Sequence, residues 1–253
     1  MPPSWPKPVI IKATAIPLAY YPYSSTSRIV HWLTRRHGKI STLLKGALRP
    51  KSPFLGEYEL FGTSELLYFQ KCTGTLHTGK ECALIHPRAA FRTDWRAMQA
   101  ASYLSALFNK TTPDEAPQPG LFELLEELLD FAEEYGSTPS FLFWAELRFC
   151  TVHGHAPSLG NCMLCSSGKE LRFCTTQGGV VCAQCSKTQK LPILEIPPDV
   201  LALLRTWQQT EHPRGLGKIR LSEKQENRLN VIHGSFMHHH FNLPPEPRNA
   251  AVS

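Results

Sequence analysis

The chain has 253 residues, 42% of them hydrophobic and 19% charged, with a formal net charge of +6. That is a globular balance with length enough for two cores, and no apolar run reaches the roughly 18 to 20 residues that span a bilayer. The charge is unevenly placed: residues 1–92 hold 13 Lys and Arg against 4 acids, whereas residues 111–146 hold 9 acids and no Lys or Arg. A basic N-terminal part points to a polyanionic partner.

The first residues, "MPPSWPKPVIIKATAI", carry Lys7 and Lys12 and lack an apolar stretch ending in a small-residue cleavage site. The expected compartment is the cytoplasm, where clustered cysteines are metal ligands more often than disulfide partners. Short β-type runs follow: "PVIIKATAI", "SRIVHWLT", "KISTLLKGA" and "ELFGTSELLYFQ". About five short strands separated by turns such as "HGK" and "TGT" suit a small barrel of the OB-fold type, though a sandwich fragment reads similarly. Periodicity alone does not separate the two; residues 1–85 are expected to form a β module, and residues 86–253 a helical one, an α+β chain.

From Phe91 the apolar period becomes helical. "DWRAMQAASYLSALFNK" and "GLFELLEELLDFAEEY" read as helices, the second with a stripe of Leu121, Leu124, Leu125, Leu128, Ala132 and Tyr135. The proline-rich "TTPDEAPQPG" between them reads as a loop. A third apolar segment, "SFLFWAELRFCTV", precedes the cysteines; after them come an extended "LPILEIPP", a short helix "DVLALLRTWQQ" and a last helix "SEKQENRLNVIHGSFMHHHF". Ser222 with Gln225 makes a capping box for that helix, and "NLPPEPRNAAVS" reads as a frayed tail.

Five of eight cysteines fall between positions 162 and 185. Cys162 with Cys165 and Cys182 with Cys185 form two C-x2-C pairs at the spacing of a four-thiolate zinc site, a knuckle spanning about 157–190. Each pair puts two thiolates on one tight turn, and two turns complete a tetrahedron. Four thiolates leave no open coordination position, so one structural Zn2+ is expected. Redox chemistry at a C-x-x-C pair lacks a surrounding βαβ pattern, and a disulfide is disfavoured by the compartment. Cys174, midway between the pairs, could compete as a ligand but reads as a bystander thiol in a loop, and Cys72, Cys82 and Cys150 read as small apolar residues. His233, Met237 and His240 share a helical face without a carboxylate at ligand spacing, which reads as a solvated helix end.

There is no H-E-x-x-H, P-loop or G-x-S-x-G, and no enzyme is expected. The remaining constellation is "SRIVHWLTRRHGKISTLLKGALRPK". It holds Arg28, Arg35, Arg36, Lys39, Lys45, Arg49 and Lys51 and no acid, interleaved with His31, Trp32 and His37. Cations for phosphates beside flat faces for bases are what single-stranded nucleic acid requires, and these seven form the expected nucleic-acid-binding set, although on composition alone a basic solvated loop reads almost as well. An alternative is a zinc-knuckle regulatory module whose own Lys169, Arg172, Lys187 and Lys190 touch nucleic acid.

These stretches, with "PGLFELLEELLDFA", "FWAELRFCTVHGHAPSLGNCMLC" and "GGVVCAQC", resemble in collinear order the bacterial recombination-mediator family RecO. The resemblance implies an N-terminal OB-fold, a helical domain and, in many members, a four-cysteine knuckle. It also implies binding of single- and double-stranded DNA, strand annealing and, with RecR, loading of RecA onto DNA coated by single-strand DNA-binding protein, whose C-terminal tail docks on the helical domain. It brings no catalytic residues and implies a cytoplasmic, nucleoid-associated protein. The family's basic OB-fold contacts match Arg28, Arg35, Lys39, Lys45, Arg49 and Lys51. The chain departs at Leu48 and Pro53, where a basic residue is frequent, and in a less acidic "IPLAYYPYSSTS". Some members lack the cysteines, so the shared function does not depend on the knuckle.

Overall fold

The computed structural model describes residues 9–243 together with Arg248 and Ala251. Lys7, the rest of 1–8 and most of the expected frayed tail lie outside the described residues. The chain divides into two compact units, Met1–Glu134 and Tyr135–Ser253.

In the first unit five strands close a barrel in the order β1-β2-β3-β5-β4, that of an OB-fold: β1 (Val9–Pro22), β2 (Arg28–Thr34), β3 (Gly38–Leu44), β4 (Thr63–Gln70) and β5 (Leu76–His86). Alternate residues point inward, so Ala13 and Ala15, Val30 and Trp32, Ile40 and Leu44, and Leu66 and Tyr68 meet in one core. A register shift between Pro17 and Ala19 kinks β1 where its pairing passes from β4 to β2.

The seam between β3 and β5 is parallel and short, matching only Ser41–Leu43 with Leu76–Thr78. Beyond it the proline-rich loop takes the place of a strand. Glu115 N donates to Lys39 O at 2.7 Å, and Asp114 bridges Lys39. Gly38, at φ 68, permits this approach: a Cβ there would lie 2.6 Å from Ala116 O.

Two helices complete the unit, α1 (Trp95–Thr111), N-capped by Asp94, and α2 (Leu121–Tyr135). The expected stripe on α2 is buried except at its end, where Tyr135 is 58% exposed. Arg88 ties α2 to the barrel. Its buried guanidinium donates to Phe61 O (2.6 Å), Thr63 Oγ1 (3.1 Å) and Asp130 Oδ1 (2.7 Å). The barrel thus ends at His86, whereas the compact unit runs on to Glu134.

The second unit is built around α3 (Pro139–Val152), apolar around most of its circumference and buried from Ser140 to Leu147. Thr138 caps it, with Pro139 in its first turn. The helices α5 (Pro198–Gln209) and α6 (Glu223–Phe241) pack on it, and Ser222 and Gln225 form the expected reciprocal capping box. Between α3 and α5 lie the two-stranded β6 (Leu171–Cys174) and β7 (Gly179–Cys182), then α4 (Ala183–Thr188).

Two expectations fail here. The face of α6 bearing His233 and Met237 is core, since these residues are 5% and 1% exposed. His233 Nδ1 lies 2.8 Å from Glu146 Oε2 on α3, a carboxylate supplied across 87 positions rather than at helical spacing. The tail is also anchored at one point: Arg248 is 3% exposed, and its Nε and Nη2 donate to the two oxygens of Glu146 at 2.6 and 3.0 Å. Cys82 and Cys150 are buried as expected of small apolar residues, Cys72 is exposed, and Cys174 is buried at the end of β6 rather than in a loop. No described helix is long and apolar enough to cross a membrane.

Candidate nucleic-acid interface and metal centre

The barrel separates the seven cations by pairing β2 against β3. Arg28 lies opposite Leu44 and Thr34 opposite Gly38, so Arg28 and Lys45 share one end of the hairpin while Arg35 and Arg36 occupy the turn at the other. Seven residues of strand, roughly 20 Å, separate the ends.

At the first end, two hydrogen bonds hold the loops together. Gly46 N donates to Ser27 Oγ at 3.1 Å and Leu48 N to Thr26 O at 3.0 Å. Lys45, Arg49 and Lys51 are exposed there and Arg28 is half-buried. The Arg28 guanidinium sits 4.5 Å from the Tyr20 ring centre, and Tyr20 meets Tyr58 edge-on at 6.3 Å. Tyr20, Arg28 and Tyr58 line a cleft of about 280 Å³. Its acid, Glu59, is paired with Arg92, which leaves the cleft less repulsive to an anion. Tyr20, Tyr21 and Tyr23 are 41%, 43% and 59% exposed, so aromatic faces and cations are both presented to solvent.

The aromatic residues singled out in the sequence behave otherwise. Trp32 is fully buried, and its Nε1–H donates to Thr42 Oγ1 at 2.8 Å, so it is a core residue closed to bases. His31 is held by Asn109 Oδ1 at 3.0 Å and packs on Tyr21. The tyrosines that take their place stand in "YYPY" just before the β1–β2 turn. Their position there, at an OB-fold loop known for oligonucleotide contact, is the signal that could have found them.

At the second end, Arg35, Arg36 and His37 line a cleft of about 330 Å³ with Lys12 and Glu65. Arg35 is already engaged, with Glu126 Oε2 at 2.7 Å and Glu123 Oε1 at 3.7 Å. Lys39 differs from the other six in being buried, with its Nζ donating to Asn109 O at 2.8 Å and pairing with Asp114 at 3.2 Å.

In the second unit, Cys162, Cys165, Cys182 and Cys185 converge, their four Sγ atoms all within 4.8 Å of one another. Cys165 and Cys182 Sγ are 3.7 Å apart. A tetrahedron with metal–sulfur bonds of about 2.3 Å has sulfurs about 3.8 Å apart, so the set fits a metal ion. The two halves are pinned by backbone. Ser166 N donates to Cys162 O, Cys185 N donates to Cys182 Sγ at 3.4 Å, and Met163 N donates to Val180 O. Gly179 permits the closest approach, since a Cβ there would fall 2.3 Å from Ser158 O. Against the upward pull of burial, backbone hydrogen bonds from Cys182, Leu164 and Cys165 hold the Cys162 thiol down at about 6. The crowded Cys185 thiol, hydrogen-bonded to Cys165 and Cys182, is pushed up to about 12. Four thiolates at this spacing repel one another, and a bound dication removes that conflict. Of the flanking cations, Lys169, Lys187 and Lys190 are exposed and Arg172 pairs with Glu195 at 2.9 Å.

The sequence matches two family descriptions in tandem, "Recombination protein O N terminal" over residues 9–88 and "Recombination protein O C terminal" over residues 92–248. Among curated proteins, the DNA repair protein RecO of Halalkalibacterium halodurans is 33% identical over 224 residues, covering 87% of this chain and 86% of its own. The DNA repair protein RecO of Bacillus pumilus is 30% identical over 231 residues (89% and 88%), and that of Bacillus subtilis is 30% identical over 234 residues (88% and 87%).

Proposed function

The chain belongs to the RecO family, and from that premise we propose that it is a non-enzymatic mediator of DNA repair and homologous recombination. It binds single- and double-stranded DNA through the tyrosine-bearing end of the barrel and anneals complementary strands. With RecR it helps load RecA onto DNA coated by single-strand DNA-binding protein, whose C-terminal tail docks on the helical unit. The observation that carries this reading is the juxtaposition of exposed Tyr20, Tyr21 and Tyr23 with Arg28, Lys45, Arg49 and Lys51 on one end of an OB barrel. Cations there replace the counterions of the phosphates, and the rings stack on unpaired bases. Once two strands are neutralised on the same protein their mutual repulsion falls, which favours annealing. The four cysteines hold one Zn2+ in a structural role, with no coordination position left for chemistry.

The experiment is binding of a single-stranded oligonucleotide as a function of salt. Each phosphate contact contributes a slope of about −0.7 in log K against log salt, so replacing Arg28, Lys45, Arg49 and Lys51 by Ala flattens the slope by about 2.8. A quadruple variant with the wild-type slope would sink the assignment.

A further inference from the structure

We infer that the β2–β3 turn is a second phosphate-binding surface, held shut in this conformation by the chain's own acidic segment. The inference rests on the DNA-binding reading above and deepens it by adding a latent contact for the same ligand, a phosphodiester backbone.

The surface is already shaped. Lys12, Arg35, Arg36 and His37 line one cleft of about 330 Å³, and Arg36 is exposed to solvent. What it lacks is free charge on Arg35 and Lys12. Glu123 and Glu126 both face Arg35, two carboxylates on one guanidinium, and Lys12 is paired with Glu65 at 2.8 Å. The adjoining acids of the segment are spent in the same manner, Asp114 on Lys39 and Glu115 on the buried His77 at 3.1 Å. The two charge blocks of the sequence therefore meet in space: the acid-rich stretch from 111 to 146 lies, in part, where a polyanion would lie.

The two clamps differ in how easily they open. Lys39 is buried and also bonded to a backbone carbonyl, so Asp114 is a fixture of the fold. The clamp on Arg35 is open to water, its three side chains being 45%, 56% and 26% exposed. Exposed pairs of this kind are weak and screened by salt. A phosphate can displace Glu123 and Glu126 by a rotamer change, while the packing of Arg35 on the buried Phe122 ring, 4.7 Å away, keeps the guanidinium in place. The barrel would then offer two cationic ends, one always open and one opened by competition.

The test uses the full chain with Glu123→Gln and Glu126→Gln together, which keeps shape and hydrogen bonding while removing the competing charge. Freeing Arg35 for one phosphate steepens the salt slope for a single-stranded oligonucleotide by about 0.7. Between about 50 mM and about 200 mM salt the advantage over wild type therefore shrinks roughly 2.6-fold. In an Arg35→Ala background the same pair of substitutions gives no gain. Glu211→Gln with Glu223→Gln, which alters net charge equally in the other unit, gives none either. A glutamine pair that binds like wild type, a gain that survives Arg35→Ala, or an equal gain from the control pair overturns the inference. Failure of the DNA-binding reading shows elsewhere, as a quadruple Arg28, Lys45, Arg49 and Lys51 variant that binds like wild type.

Discussion

Replacing Arg248 by Met isolates a buried charge. The substitution keeps an aliphatic stem of similar volume and removes the guanidinium that donates twice to Glu146, leaving a fully buried carboxylate beside His233. Burial pushes His233 down, so the ring is neutral at pH 7 and donates a hydrogen bond without cancelling the charge. Breaking a buried pair on one side costs about 3–5 kcal/mol. For a unit of this length each kcal/mol moves the midpoint by about 3–5 °C, so its melting temperature falls by about 10–20 °C. The pH dependence carries the sign. Burial alone raises the Glu146 carboxyl, but Arg248 and His233 outweigh it and hold the pKa at about 2. A depressed carboxylate contributes stability above its unfolded value of about 4.5, lost as pH falls toward 2. Without Arg248 the burial effect prevails and the folded pKa rises above 4.5. The penalty is then fully expressed near neutrality and relieved on acidification, so the gap between variant and wild type narrows from pH 7 to pH 5. Glu146→Gln added to Arg248→Met removes the stranded charge and recovers part of the loss. Circular-dichroism melts at both pH values check this; a variant within about 2 °C of wild type at pH 7, or a gap that widens on acidification, would refute the reasoning.

Gly179→Ala forces a Cβ against Ser158 O and Met163 Sδ, at 2.3 and 2.9 Å. It is expected to destabilise the cysteine unit by about 1–3 kcal/mol, while Gly160→Ala, which meets nothing within 4 Å, is silent in the same melts. Stripping metal with a chelator, or Cys185→Ser, lowers the melting temperature of the cysteine unit and leaves the salt slope of oligonucleotide binding unchanged. Elemental analysis should find one zinc per chain before treatment, and a slope that changes with the metal would favour a knuckle that touches nucleic acid.

Periodicity exposed most of the architecture. The alternation that buries Val30, Trp32, Ile40 and Leu44 is written in the strands, and the helical stripe of α2 is equally plain. The two C-x2-C pairs were readable because each pair is local and its spacing is fixed by ligand geometry. The misreadings share a cause. Trp32 stands among cations in the sequence yet lies in the core, because composition does not say which face of a strand is inward. Lys39 counted as a surface cation although its partners, Asn109 and Asp114, lie some 70 positions away. His233 looked solvated because Glu146 arrives from another helix. Burial and charge pairing across long separations are products of packing, and no local window contains them.

The loop on the rim of β3 bears on where the chain can be cut. A barrel ended at residue 85 would lose the Glu115–Lys39 backbone bond and leave the start of β3 with unpaired amides and carbonyls. Such a rim is a template for intermolecular pairing, and fragments with one tend to aggregate. The segment carrying Asp114 and Glu115 thus shields the rim of its own barrel, and a fragment meant to remain monodisperse should retain it.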